Sequence, residues 1–391
     1  MDYSRFSAQS ENWNTIQEIL DGISDIKINN AQNNRIKIWK NTQNRINRIS
    51  LKAIYLNYYQ LIGSSFIDRI RDVIIITISS ILIIKEQSTL GTLLTISYIL
   101  GQLTYSLSQI YQFCKEFQDA KISLDRISEI QNKEDENNAG ERIIDTVKSI
   151  KLNSISFKYF QSSSKFVIDS MSLDIPINKT TAIVGKSGSG KTTLIKILLG
   201  FYAPQKGAVY INDGNLESVM IDQWRKKCGA VLQDGFIFSG SISENIALGS
   251  NVLNMEKVKY AAKIACADEF IDLLPNKYHT IIGNAGIQLS GGQRQRLLIA
   301  RAIYKDPDIL IFDEATSHLD TENERQIIIN LQNYLKGKTN IIIAHRLSTV
   351  VNADKIIYLD KGKIIEEGNH ITLLEKRGAY YKLIENQLQN K

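Results

Sequence analysis

Leu289-Ser290-Gly291-Gly292-Gln293-Arg294-Gln295-Arg296 decides the reading of this chain. Small residues open a strong helical stretch here, 293–304, and a helix N-terminus with free amides is an anion site. Upstream stands a second phosphate-binding element, Gly185-Lys186-Ser187-Gly188-Ser189-Gly190-Lys191-Thr192. It lies between an apolar strand, 180–184, and an amphipathic helix, 192–199, the context a P-loop needs. Gly185, Gly188 and Gly190 let backbone amides approach phosphates without a Cβ in the way. Lys191 would reach the β- and γ-phosphates and the Thr192 hydroxyl would bind Mg²⁺. The chain therefore offers two phosphate sites where one bound nucleotide needs one.

Between these elements and the C-terminus runs Ile309-Leu310-Ile311-Phe312-Asp313-Glu314, an apolar strand ending in two carboxylates. A strand buried on both faces carries acids only at its C-terminal edge, where α/β folds bind ligands. Asp313 would hold Mg²⁺, directly or through water, and Glu314 would polarise the attacking water as general base. A further β-branched run at 340–344 alternates with helical stretches, which argues for an α/β domain with a largely parallel sheet.

In this order the two phosphate elements resemble the ATPase domain of ATP-binding cassette (ABC) proteins, over about Lys151 to the C-terminus. The resemblance implies an α/β P-loop NTPase domain with a parallel-sheet core and a helical subdomain. It places ATP and Mg²⁺ on Gly185, Lys186, Ser187, Gly188, Ser189, Gly190, Lys191, Thr192 and Thr193, with Thr192, Gln233 and Asp313 toward the metal. Gln233 resembles the Q-loop glutamine that senses Mg²⁺ and water. His345 resembles the switch histidine at the γ-phosphate, and Tyr159 the aromatic that stacks on adenine. The stretch Ser290, Gly291, Gly292, Gln293 resembles the signature motif, which closes over ATP held by another subunit's P-loop. Ser317-His318-Leu319-Asp320 resembles the D-loop, with Asp320 the matching acid. The spare anion site is thereby accounted for by a dimer in which each copy supplies half of two sites. Two positions depart from the pattern: His318 replaces a small residue, and Asn284 stands where many exporters carry an acid linked to coupling.

Ahead of this domain the chain falls into three zones. Residues 10–51 carry apolar positions at helical spacing between charges. An apolar zone follows, and its part from Gln87 to Cys114 has no charge over more than the roughly 20 residues a membrane helix needs. The run 73–84 is apolar too, but Asp68, Arg69, Arg71 and Asp72 precede it. Pairing of Asp68 with Arg71 and of Arg69 with Asp72 is expected at helical spacing. The cluster reads as a helix leaving the bilayer, the preferred reading, or as a polar surface lining a substrate cavity. The expected layout is residues 1–130 as a partial, all-α transmembrane domain with spans over about 62–84 and 90–113. Residues 131–148 form an exposed linker and 149–391 the ATP-binding domain.

Residues 22–48, 89–101 and 118–134 resemble the last part of an exporter membrane domain. The match is to bacterial peptidase-containing exporters that secrete bacteriocin-like peptides. It implies a coupling segment at 29–35, the last two of six membrane helices, and both ends in the cytoplasm, at the inner membrane. The partners implied are a second half-transporter, membrane lipid and a peptide. The upstream helices and a Cys–His peptidase pair are not in this sequence, so the chain is read as a C-terminal portion or a shortened copy. Alternatives are an exporter of lipid or another substrate, a soluble ABC ATPase, and a non-hydrolysing regulator. Against the last, Lys191, Asp313, Glu314, Ser290, Gln233 and His345 are all present. The net charge of +6 is modest and spread out, without the basic stripe of a nucleic-acid groove. Cys114, Cys228 and Cys266 stand far apart and read as inert thiols.

Overall fold

The computed structural model of the chain describes residues 2–131, 140, 142–160, 165–283, 286–313, 321–344 and 350–389. They divide into two compact units, Met1–Ile130 and Gln131–Lys391.

The first unit is helical: α1 (Asp2–Asp21), α2 (Ile23–Ile28), α3 (Gln32–Ile84) and α4 (Leu90–Gln131). Asn30, in left-handed backbone at φ 48°, breaks the chain between α2 and α3, inside the expected coupling segment. Arg45 on α3 pairs with Glu11 on α1 at 2.9 Å. Arg71 on α3 donates to Thr104 Oγ1 on α4 at 3.0 Å. The expected Asp68–Arg71 pair is present at 3.1 Å. Asp72 pairs with Arg71 rather than with Arg69, at 2.9 Å, because the guanidinium fork serves two carboxylates at once.

Among the described residues no helix is long and apolar enough to cross a membrane. This departs from the expected spans over about 62–84 and 90–113, and the composition explains it. The run 73–84 enters through four charges, while α4 interleaves Thr92, Thr95, Ser97 and Gln102 with its leucines and isoleucines. Both helices still expose large apolar side chains, including Phe66, Leu94, Leu103 and Phe113.

The second unit is α/β. It opens with β1 (Ile150–Phe157), β2 (Ile168–Ile175), β3 (Thr180–Gly185) and α5 (Lys191–Leu198). Then come β4 (Lys206–Ile211), β5 (Gly214–Asn215), α6 (Ile221–Lys227), β6 (Cys228–Val231) and β7 (Gly240–Ser241). A helical stretch follows: α7 (Ile242–Ile246), α8 (Met255–Ile264), α9 (Asp268–Asp272), the short β8 (Ile281–Ile282) and α10 (Gly291–Tyr304). The last part holds β9 (Ile309–Asp313), α11 (Thr321–Tyr334), β10 (Thr339–Ile343), β11 (Lys355–Asp360), β12 (Lys363–Gly368), α12 (His370–Glu375) and α13 (Ala379–Gln389).

The main sheet has the order β12-β11-β3-β10-β9-β6, parallel except for the β11–β12 pair. Its central strands are continuous apolar runs because both faces are covered. Alternate residues feed opposite cores: Ile309 and Ile311 join α5 and the antiparallel sheet, whereas Leu310 and Phe312 face α8, α10 and α11. The antiparallel sheet, β2-β1-β4-β5, is an addition to the expected parallel core. Part of the expected linker also belongs to this unit. Arg142 N–H donates to Ser218 O at 3.1 Å, its carbonyl accepts from Met220 N–H at 2.9 Å, and Ile144 is buried.

Candidate functional site

β3 delivers the chain to the C-terminal edge of the sheet, and the P-loop turns there into α5. Gly185 sits at φ +150°, and a Cβ on it would lie 2.0 Å from Leu359 O of the neighbouring β11. Gly188, at φ +74°, faces open space, with nothing within 4 Å of where its Cβ would be. One glycine thus lets the loop pass close to a strand, and the other leaves room above it. Lys186, Ser187 and Gly188 form the exposed tip, while Ser189, Gly190 and Lys191 are buried.

Lys191 opens α5 with its side chain folded back into the loop. Its Nζ donates to Gly185 O at 3.0 Å and to Lys186 O at 2.9 Å. Two carbonyls of the loop thus hold the ammonium against it. Thr192 is half-buried beside it and Thr193 is buried. Tyr159 lies two residues past the end of β1, and its hydroxyl lies 2.9 Å from Thr193 Oγ1.

Asp313 is the last residue of β9 and only 1 % exposed. In register it faces Ile343 of β10, which faces Ile183 of β3. At two strand spacings, about 10 Å, the carboxylate and the start of the P-loop share one sheet edge. Gln233 follows β6, whose Val231 is in register with Phe312 of β9. Gln233 therefore extends past the same edge, and it is exposed. A buried carboxylate, a hydroxyl and an amide make an all-oxygen donor set, which suits Mg²⁺ completed by phosphates and water. Glu314, Asp320 and His345 lie outside the described residues, as do Asn284 and His318.

Ser290 caps α10 in a reciprocal box. Gln293 N–H donates to Ser290 Oγ at 3.3 Å and Ser290 N–H to Gln293 Oε1 at 3.0 Å. The Ser290–Gln293 turn is accessible, and no hydrogen bond among the described residues joins it to the P-loop.

Sequence reasoning passed over two arginines of α10 that hold the segment after Gln233. Arg294 Nε donates to Gly235 O at 3.0 Å. Arg301 donates to Phe236 O and to Asn245 O, each at 2.8 Å. Burial pulls the Arg301 guanidinium down to about 10. Their spacing of seven, on the same helical face, is the one signal the sequence carried.

The geometry agrees with what the chain resembles. Residues 168–317 match the family model described as ABC transporter. Over 388 residues, 99 % of this chain, it is 38 % identical to the toxin RTX-III translocation ATP-binding protein of Actinobacillus pleuropneumoniae, covering 54 % of that protein. It is 37 % identical over 387 residues to the alpha-hemolysin translocation ATP-binding protein of Escherichia coli, again 99 % of this chain and 54 % of that one. The chain thus spans about half the length of these curated relatives. The structure of a bacterial Atm1-family ABC exporter with ATP bound superposes with a TM-score of 0.91 at 27 % identity, over 99 % of this chain and 68 % of that one. The C-terminal unit is an ABC ATPase domain, preceded by a helical unit, and the chain is related to the ATP-binding components of RTX toxin translocation.

Proposed function

We propose that this chain is the ATP-hydrolysing part of a dimeric ABC exporter that moves a polypeptide outward across the bacterial inner membrane. The observation that carries the reading is the shared sheet edge: the P-loop with Lys191 turned into its mouth, and buried Asp313 two strands away. Lys191 binds the β- and γ-phosphates, and the loop amides bind around them. Thr192, Asp313 and Gln233 would hold Mg²⁺, which when bound would offset the charge of the phosphate oxygens. Glu314 takes the proton of the attacking water, and His345 contacts the γ-phosphate side. Ser290, Gly291, Gly292 and Gln293 of a second copy cover the nucleotide, which accords with the accessibility of their turn. Loss of the γ-phosphate contacts after hydrolysis loosens the pair.

The polypeptide substrate is inferred from the relatives' names, which are those of toxin translocation proteins. Bacteriocin-like peptides are a narrower case of the same class. The membrane reading draws support from α3 and α4. At 1.5 Å per residue they are about 80 and 63 Å long, against about 30 Å of hydrocarbon. The C-terminal half of α3 and the N-terminal half of α4 expose apolar side chains such as Phe66, Ile74, Leu94 and Leu103.

A second reading, an ABC ATPase working without a membrane, draws on the finding that no described helix is apolar enough to span one. Fractionation of cells expressing the chain separates the two. The exporter reading expects the chain in the membrane pellet, released by detergent and not by high salt. A chain that stays in solution without detergent contradicts it.

A further inference from the structure

Tyr159 does more at this site than offer a flat face. Its ring stands edge-on to Phe157, with centroids 5.2 Å apart at 82°, and to Tyr202, 5.4 Å apart at 87°. Phe157 is buried in the core between the sheets and so is a fixed brace. The third restraint is the hydroxyl, 2.9 Å from Thr193 Oγ1 on the first turn of α5. Thr193 is 5 % exposed and β-branched, so its χ1, and with it the direction of Oγ1, is held by packing. Tyr159 as a whole is 46 % exposed. A side chain that had only to stack could be phenylalanine. Here the hydroxyl reaches the same helix that carries Lys191 and Thr192.

We infer that Thr193 is a positioning residue for base recognition: through its hydrogen bond it fixes the Tyr159 ring before a purine nucleotide arrives, tying the base end of the site to the phosphate-binding helix. The inference rests on the nucleotide-site reading above. A ring already held in its stacking pose loses little side-chain freedom on binding, so more of the stacking energy appears as affinity. Releasing the hydroxyl frees the ring, and the cost falls on ligands that have a base.

The test uses the full chain in detergent, with ATP turnover and binding measured for wild type, Tyr159→Phe, Thr193→Val, Thr193→Ser and the Tyr159→Phe/Thr193→Val double variant. Inorganic triphosphate, which has the phosphates and no base, serves as a competitor. Each of Tyr159→Phe and Thr193→Val should raise the KM for ATP about two- to tenfold, more than it lowers kcat. The double variant should be no worse than the worse single one, because both remove the same contact. Thr193→Ser should recover most of the loss, and Tyr159→Phe should bind inorganic triphosphate as wild type does. Wild-type KM in Tyr159→Phe, or strictly additive effects in the double variant, overturns the inference. Tyr159→Ala separates the two levels of the argument. If alanine harms ATP binding and phenylalanine does not, the hydrogen bond is without consequence but the stacking position stands. If alanine is also harmless, the placement of the base on Tyr159 falls.

Discussion

Replacing Gly185 and Gly188 by alanine, one at a time, separates what the P-loop needs in order to fold from what it needs in order to bind. At Gly185 the new Cβ would lie 2.0 Å from Leu359 O and 3.0 Å from its carbon, both backbone atoms of a packed strand, at φ +150°. Backbone strain of about 1–3 kcal/mol adds to roughly 1–3 kcal/mol of overpacking. The total is about 2–6 kcal/mol, which at roughly 2–4 °C per kcal/mol for a domain of this size lowers Tm by about 4–24 °C. At Gly188 the Cβ meets nothing within 4 Å, so only the left-handed backbone at φ +74° resists it. That costs about 1–2 kcal/mol, or about 2–8 °C. The open space that spares the fold is where phosphates belong, so Gly188→Ala should lose nucleotide affinity out of proportion to its loss of stability. Differential scanning fluorimetry of the full chain in detergent, with and without Mg-ATP, reads both effects. Gly185→Ala should melt low in either condition. Gly188→Ala should melt only about 2–8 °C below wild type without nucleotide and gain little when it is added. Equal Tm losses for the two variants, or a full ATP-induced shift in Gly188→Ala, would refute the reasoning.

Lys191→Ala should weaken ATP binding by about 1.5–3 kcal/mol, the worth of a hydrogen bond to a charged group, hence roughly 10- to 150-fold in Kd by calorimetry. Glu314→Gln should leave binding intact while slowing hydrolysis by a factor on the order of 10² or more, and unchanged steady-state turnover would remove Glu314 from the mechanism. Glu244 closes the capping box of α7, and the Ser241 backbone and side-chain hydrogen bonds hold its carboxyl below the usual 4.5. A depressed pKa contributes stability above the unfolded value and loses it as pH falls through the folded one. Wild type should therefore lose its Tm advantage over Glu244→Gln as pH drops below about 4.5, and a constant difference from about pH 6 to about pH 3 would contradict this.

The parts of the fold that could be read from sequence are those where one physical requirement writes the residues. Strands buried on both faces must be apolar throughout, so the runs ending at Val184, Phe312 and Ala344 marked β3, β9 and β10 to within a residue or two. The P-loop was legible because its glycines answer a local demand. The antiparallel sheet was not, since its alternation is broken. Left-handed Ser154 and Ser170 shift the register of β1 against β2, and the burial of β1 runs out of strict period two. Arg71 took both aspartates because its guanidinium has donors enough for two carboxylates, which helical spacing alone does not announce. The Tyr159–Thr193 bond joins positions that only the tertiary fold brings together, and no spacing announces it. For Glu314, Asp320 and His345, which lie outside the described residues, the sequence pattern carries the assignment.

The central claim is that the exposed signature turn of one copy completes the nucleotide site of another. Sedimentation of the Glu314→Gln chain in detergent, with and without Mg-ATP, tests it most directly, alongside the same chain carrying Ser290→Arg to crowd the turn. The account predicts a dimer that forms only with ATP and is lost in the Ser290→Arg variant. A chain that binds ATP yet stays monomeric, or one whose ATP-dependent dimer survives Ser290→Arg, would contradict it.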